Sequence, residues 1–189
     1  MTCVELAAPA SEPVSLADVK AHLKIDHTDE DDLLSGLISV ARRHVEAETG
    51  LTTISRPMRL YLDDWPRDEV IQIASGPVQT LDAVTVYDET GVPVQVSLED
   101  HLLDGVARPA RLWLRERPLP GRVLNGIEID FTAGFGEAAA DVPDGLKRAM
   151  LLHVAAMFAC RGAVTLADQP ALVPPGYDRL IAPFCRRRL

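Results

Sequence analysis

The chain has 189 residues and a mass of 20.6 kDa, which is the size of one domain, or of one domain with an insertion. Apolar residues make up 47% of the sequence and charged residues 25%, so the chain can bury a hydrophobic core and is not a disordered tail. The net charge of -9 argues against an ordinary nucleic-acid-binding protein, because that class needs a basic face.

Two helices are predicted to open the fold, after an aperiodic lead-in at residues 1–12 that is expected to be flexible. Ser15 and Asp18 have the spacing of a capping box, which predicts a short helix after Ser15. Thr28 and Asp31 repeat that spacing before a longer helix, which Gly50 is placed to end. The apolar stripe of the longer helix predicts which side is buried, with Arg42, Arg43 and Glu46 facing away; the stripe consists of Leu33, Leu34, Leu37, Ile38, Ala41 and Val45.

From Ile54 the pattern changes to short runs with the period of β-strands. The candidate strands are residues 59–62, 70–73, 83–87, 92–96, 111–114 and 126–131. The sequence Asp88-Glu89-Thr90-Gly91 between the third and fourth runs is typical of a four-residue hairpin turn. We therefore predict one antiparallel sheet, inserted after the second helix at about residues 54–133.

A third helix is predicted after Asp141-Val142-Pro143, where an acceptor and a proline stand at a helix start. Residues 146–158 are apolar on nearly all sides, so this helix is expected to be central, with Gly162 at its end. The predicted fold class is α+β. A helical core carries an inserted antiparallel sheet in a single domain of residues 13–162, followed by an extended C-terminal arm at residues 163–189.

Several classes of protein are disfavoured by the remaining patterns. The longest apolar run, from Ala149 to Cys160, is interrupted by His153 and is shorter than the roughly 20 residues of a membrane span, so no membrane association is expected. The first residues lack the basic and apolar blocks of a secretion signal. The three cysteines, Cys3, Cys160 and Cys185, are far apart, which favours free thiols in a reducing compartment such as the bacterial cytoplasm.

One cluster of histidines and acids admits two interpretations. It comprises His22, Asp26, His27, Asp29, Glu30, Asp31 and Asp32. Such residues can bind a divalent metal, and a small metal-dependent hydrolase using His22, His27 and the acids is the alternative function. The spacing lacks the glycine of a calcium loop, however, and acids in a first helical turn stabilise the helix dipole. We favour helix capping, and we assign no catalytic, cofactor-binding or metal-binding residue.

The C-terminal segment combines apolar residues with a basic end. Its apolar positions are Tyr177, Leu180, Ile181 and Phe184, and it finishes with Arg186, Arg187 and Arg188. A solvated tail is one interpretation of such a charge run. The other is a partner-binding arm, in which the apolar side chains are anchors and the arginines contact carboxylates of the partner. We predict the arm, because a short segment of this kind is not expected to bury its own apolar face.

Several blocks of the sequence resemble phage head–tail connector proteins. Pro13 to Leu23, Asp29 to Leu34, and Val45 to Gly50 are similar to the opening of that family. Ile129 to Gly136, followed by Val142-Pro143 and by Leu146 to Leu152, resembles the strand, loop and helix further along. Each block alone is an ordinary pattern, and the resemblance lies in their order and spacing from about residue 13 to 162.

The resemblance implies a structural protein and not an enzyme. Members of the family are adaptors that form a ring, usually of twelve copies, beneath the capsid portal at the head–tail junction. The ring joins the portal, through the C-terminal segment, to a tail-side connector or stopper protein, and it extends the channel through which DNA passes without sequence-specific binding. Relatives occur in long-tailed phages, prophages and gene transfer agents, and assemble in the bacterial cytoplasm. A soluble interaction module unrelated to phage is the third possibility.

Overall fold

The computed structural model describes residues 1–160 and 173–185. The chain divides into two compact units, each assembled from two separate stretches of sequence. The first, here called the β unit, comprises Met1–Ala10 and Ser55–Phe135. The second, the helical unit, comprises Ser11–Ile54 and Gly136–Leu189. Helices and antiparallel strands both contribute, so the predicted α+β class is confirmed.

The β unit contains two antiparallel sheets, where the sequence predicted one. Its strands are β1 (Thr2–Glu5), β2 (Arg56–Leu62), β3 (Ile71–Ile73), β4 (Val78–Tyr87), β5 (Pro93–Gln95), β6 (Leu102–Asp104), β7 (Ala110–Trp113) and β8 (Ile127–Ala133). The first sheet has the order β1-β2-β8-β4-β5, and the second has the order β3-β7-β6. The sequence of a short strand does not show which sheet the strand joins, because the strands have similar compositions. Periodicity alone therefore could not separate the two sheets.

The strands place alternate side chains in a common core, as the two-residue period of a strand requires. In β8, Ile127, Ile129 and Phe131 are fully buried, and buried side chains of both sheets form one cluster. Two of the intervening residues of β8 are acidic, and Arg59 of β2 contacts both: Glu128 at 2.8 Å and Asp130 at 2.5 Å. The predicted hairpin is confirmed, with β4 and β5 paired across residues 88–91.

The lead-in was expected to be flexible, but Thr2–Glu5 forms an edge strand paired with β2. Glu5 also accepts a hydrogen bond from the buried guanidinium of Arg56, with an Nη2–Oε1 distance of 2.9 Å. Four residues without clear alternation give no periodic signal, and the pairing partner lies about fifty residues away in sequence. Strand β6 was not predicted either, because it is only three residues long.

The helical unit consists of α1 (Leu16–Leu23), α2 (Asp31–Thr49), α3 (Asp144–Ala159) and α4 (Tyr177–Ile181), with short 3-10 turns at Ala139–Asp141 and Ala182–Phe184. Helix α3 packs against the other three helices, which explains why so much of its surface is apolar. His153, in the middle of α3, is completely buried. Gly162, predicted to end this helix, lies outside the described residues. Within the described part of the chain, no helix has the length and apolarity needed to cross a membrane.

The first predicted capping box is confirmed, and the second is wrong. The backbone N–H of Asp18 donates to Ser15 Oγ at 3.1 Å, and the Asp18 carboxylate accepts from the Ser15 N–H at 3.1 Å. Helix α2 instead begins at Asp31, after Glu30, and no side chain caps it. The Asp31 carboxylate is engaged elsewhere, because it pairs with Lys20 at 2.7 Å. Gly50 ends α2 as predicted, with a φ of 68°.

Arg42 and Glu46 were both predicted to face away from the core, but the Glu46 side chain is only 9% exposed and Arg42 is buried. Its guanidinium pairs with Glu12 at 2.7 Å and with Glu46 at 3.2 Å. Glu46 also accepts hydrogen bonds from the backbone and the hydroxyl of Thr53. A buried charge is tolerated only when it is paired and hydrogen-bonded, and the partner from the lead-in could not be inferred from helical periodicity.

Candidate partner-binding site

The C-terminal segment was predicted as an extended arm, but its described part is folded onto the helical unit. Gly176 adopts a left-handed conformation with a φ of 90°, and α4 begins at the next residue. The 3-10 turn Ala182–Phe184 continues directly from α4. Both α2 and α3 contribute to the surface that receives the segment, and α3 packs against α4. The sequence therefore predicted the apolar character of the segment correctly. It did not predict that the apolar face packs against the helical unit of the same chain.

Two of the four predicted anchors are buried within the chain itself. Tyr177 is 1% exposed and Ile181 is 4% exposed. The Tyr177 ring lies 5.6 Å from the His44 ring of α2 and 5.5 Å from the His153 ring of α3, and the two histidine rings are 4.7 Å apart. Aromatic rings at these separations pack favourably. Tyr177 and Ile181 thus hold the segment in place on the helical unit.

The remaining predicted contact residues differ in their surroundings. Leu180 and Phe184 are half-buried, so each keeps part of its surface in contact with solvent. The Phe184 ring lies over Gly145 of α3, where a Cβ atom would be only 3.1 Å from the ring. Arg186, Arg187 and Arg188 lie outside the described residues. Of the predicted site, Leu180 and Phe184 are the described residues that face outward in part.

The surface around Tyr177 is acidic. Burial raises the pKa of the Tyr177 hydroxyl well above its usual range, and the carboxylates of Glu48 and Asp178 raise it further. The same three causes raise the pKa of the Cys185 thiol. Sequence reasoning missed His44 and Glu48, which are four residues apart on α2. That spacing places them on one side of the helix, but it does not reveal that the C-terminal segment packs there.

The histidine and acid cluster near the start of α2 does not assemble into a metal site. Asp31 is paired with Lys20, and His27 Nδ1 lies 3.9 Å from Asp29 with both side chains largely exposed. Among residues 1–160 and 173–185, no three side chains of the metal-binding types come together in one group. The alternative of a metal-dependent hydrolase therefore gains no support from the geometry.

The sequence profile of the family described as "Phage gp6-like head-tail connector protein" matches residues 13–113, more than half of the chain. The chain belongs to this family. The membership confirms the resemblance seen in the sequence, and with it the place of the protein at a head–tail junction. No curated protein is significantly similar to the chain.

Solved structures of particle necks are similar over the whole chain. A component of the neck of an empty gene transfer agent particle, computed with C6 symmetry, is 26% identical with a TM-score of 0.82. A component of the native gene transfer agent virion is 28% identical with a TM-score of 0.76. A third, from the native neck computed with C12 symmetry, is 28% identical with a TM-score of 0.72. Each comparison covers 100% of this chain and 97% of the other.

Proposed function

We propose that this connector is the ring-forming adaptor of a gene transfer agent or a related phage-like particle. Twelve copies would form a ring beneath the portal, join it to a tail-side connector or stopper protein, and extend the DNA channel. The observation that carries the proposal is the full-length similarity to a component of a particle neck computed with C12 symmetry. A closed ring repeats one contact around its axis, so many weak contacts give strong overall binding.

Attachment to the portal is assigned to the outward-facing part of the C-terminal segment. Leu180 and Phe184 are half-buried in α4 and the following turn, so they can add apolar contact area to an interface. Arg186, Arg187 and Arg188 follow directly and would make charge-assisted hydrogen bonds to carboxylates of the portal. Tyr177 and Ile181 contribute from the inside, because they fix the segment on the helical unit.

Passage of DNA through the ring is consistent with the composition of the chain. Acidic residues exceed basic residues by 28 to 19. A channel that retains few phosphate contacts does not bind the passing duplex tightly, since such contacts supply most non-specific affinity. Mapping the electrostatic potential of the assembled ring checks this assignment: we expect a negative lumen, and a basic lumen would contradict it.

Native mass spectrometry of the protein, alone and mixed with the portal protein encoded nearest to it, tests the central proposal. We expect a discrete complex that carries one copy of the adaptor per portal subunit. A stable monomer that does not bind the portal protein would overturn the proposal. The same measurement on the free protein reports whether the ring forms before the portal is added.

The structure also dictates where the C-terminal segment should be cut. Truncation after Gly176 would remove the buried Tyr177 and Ile181 and expose the surfaces of α2 and α3, so a loss of binding could reflect damaged packing. Truncation after Cys185 removes the three arginines and Leu189 and leaves α4 intact. We expect this shorter protein to keep its thermal stability and to bind the portal more weakly. The difference should shrink as salt rises, because exposed charges are screened within about 8–10 Å at moderate ionic strength. Portal binding unchanged by the cut would contradict the role of the arginines.

A further inference from the structure

The end of α2 and the start of the C-terminal segment enclose a concavity of about 370 Å³. It is lined by His44, Glu48 and the stretch from Val173 to Asp178. Glu48 and Asp178 are both exposed. Within the described ranges, neither carboxylate takes part in a hydrogen bond or an ion pair. In the part of the chain that the structure describes, two negative charges thus line the concavity without an ion-pair partner.

Tyr177 lies in the wall of the same concavity and adds a third oxygen. Its side chain is 1% exposed, and its hydroxyl is buried without a hydrogen-bond partner. Native proteins seldom leave a buried polar atom unsatisfied unless a ligand or water completes it. Glu48 and Asp178 line the concavity together with Tyr177, so the three side chains share one small region.

The missing group can be identified by its chemistry. Two carboxylates and a hydroxyl oxygen call for a positive group with several N–H donors. A guanidinium offers five donors in one plane and packs well against an aromatic ring, such as the His44 ring at this site. An ammonium offers three donors from a single point, which suits separated acceptors less well. Arginine is therefore the side chain that matches the site.

We propose that this concavity binds an arginine side chain of the portal protein, an inference that rests on the adaptor function proposed above. The portal is the source because Val173 to Asp178 lead directly into α4 and its following turn, which carry the proposed portal contacts. Contacts between arginines and carboxylates would thus form in both directions across one interface. Its own basic end would meet portal carboxylates, and its acidic concavity would take a portal guanidinium.

The test measures portal affinity for variants that remove each negative charge, or the tyrosine hydroxyl, while preserving the shape of the side chain. Glu48→Gln and Asp178→Asn each remove one charge, and we expect each to weaken binding by about tenfold, the size of a lost charge-assisted hydrogen bond. Tyr177→Phe keeps the ring and deletes the hydroxyl. We expect it to weaken binding while leaving the melting temperature equal or higher, since it removes an unpaired buried polar atom. Glu137→Gln is the matched control, because Glu137 is an exposed acid elsewhere on the helical unit.

The outcomes separate this inference from the adaptor function. If the unaltered protein fails to bind the portal, both fail together. If it binds, and the Glu48→Gln, Asp178→Asn double variant both binds equally well and forms rings normally, the concavity assignment is overturned and the adaptor function stands. If the double variant binds the portal normally but no longer forms rings, the arginine comes from a second copy and the portal source is wrong. Weakened portal binding with an intact ring supports the proposal.

Discussion

The two units of the chain place polar and apolar side chains in opposite ways. In the described part of the chain, every large exposed apolar side chain except Val173 belongs to the β unit. Most of the buried polar side chains belong to the helical unit; they are Arg42, Thr49, Thr52, Thr53 and His153. The β unit therefore depends mainly on its apolar core, with Arg56 as its buried charge, whereas the helical unit depends more heavily on internal polar contacts. The stability of the two units should therefore respond differently to the truncation of a buried apolar side chain and to the removal of a buried charge.

The largest effect is expected from a cavity in the β unit. Phe131 is completely buried in β8, and Phe131→Ala should lower the free energy of unfolding by about 3–5 kcal/mol, from lost transfer energy and an unfilled cavity. Denaturant unfolding followed by circular dichroism measures the change. Val123→Ala is the control, since Val123 is 88% exposed and its truncation should cost less than about 0.5 kcal/mol. Similar losses in both variants would contradict the dependence of this unit on its core.

The corresponding weak point of the helical unit is a charge. Arg42→Ala removes the buried cation between Glu12 and Glu46, so the largely buried carboxylate of Glu46 loses this ion pair and keeps its hydrogen bonds from Thr53. We expect a loss of about 2–4 kcal/mol, below the full cost of breaking a buried pair because Glu12 remains partly in solvent. Arg43→Ala, at the exposed neighbouring position, should change stability little. An Arg42→Ala protein as stable as the Arg43→Ala protein would show that the ion pairs are dispensable.

The smallest effect concerns the cap of α1. Ser15→Ala should cost about 1 kcal/mol, since it removes the hydroxyl that accepts the Asp18 N–H. Hydrogen bonds from Ser15 also lower the pKa of the Asp18 carboxyl. A carboxyl with a lowered folded-state pKa stabilises the protein above its unfolded pKa and loses that contribution as pH falls through the folded value. The difference in stability between the unaltered protein and Ser15→Ala should therefore narrow in acid. Thermal melts of both proteins at neutral and at acidic pH measure this difference. An equal difference at both pH values would contradict the contribution of the Asp18 carboxyl.

Local and periodic features were predictable from the sequence, while contacts between distant segments were not. The Ser15 cap and the turn before β5 depend on residues a few positions apart, so their spacing predicts them directly. The burial of Arg42 depends on Glu12, thirty residues away. The burial of Tyr177 depends on His44 and His153. The sequence therefore placed the candidate site on the C-terminal segment. It could not predict that Glu48 of α2 lies beside this segment, because only the fold brings the two together.

The edge strand β1 has a consequence for the order in which the protein is made. Residues 2–5 leave the ribosome long before β2, their pairing partner, and the intervening residues 11–54 belong to the other unit. Strand β2 in turn pairs with β8, which ends at Ala133. Neither unit can close on the growing chain until most of the polypeptide has been synthesised. A truncated translation product therefore exposes open strand edges, which pair readily with other chains.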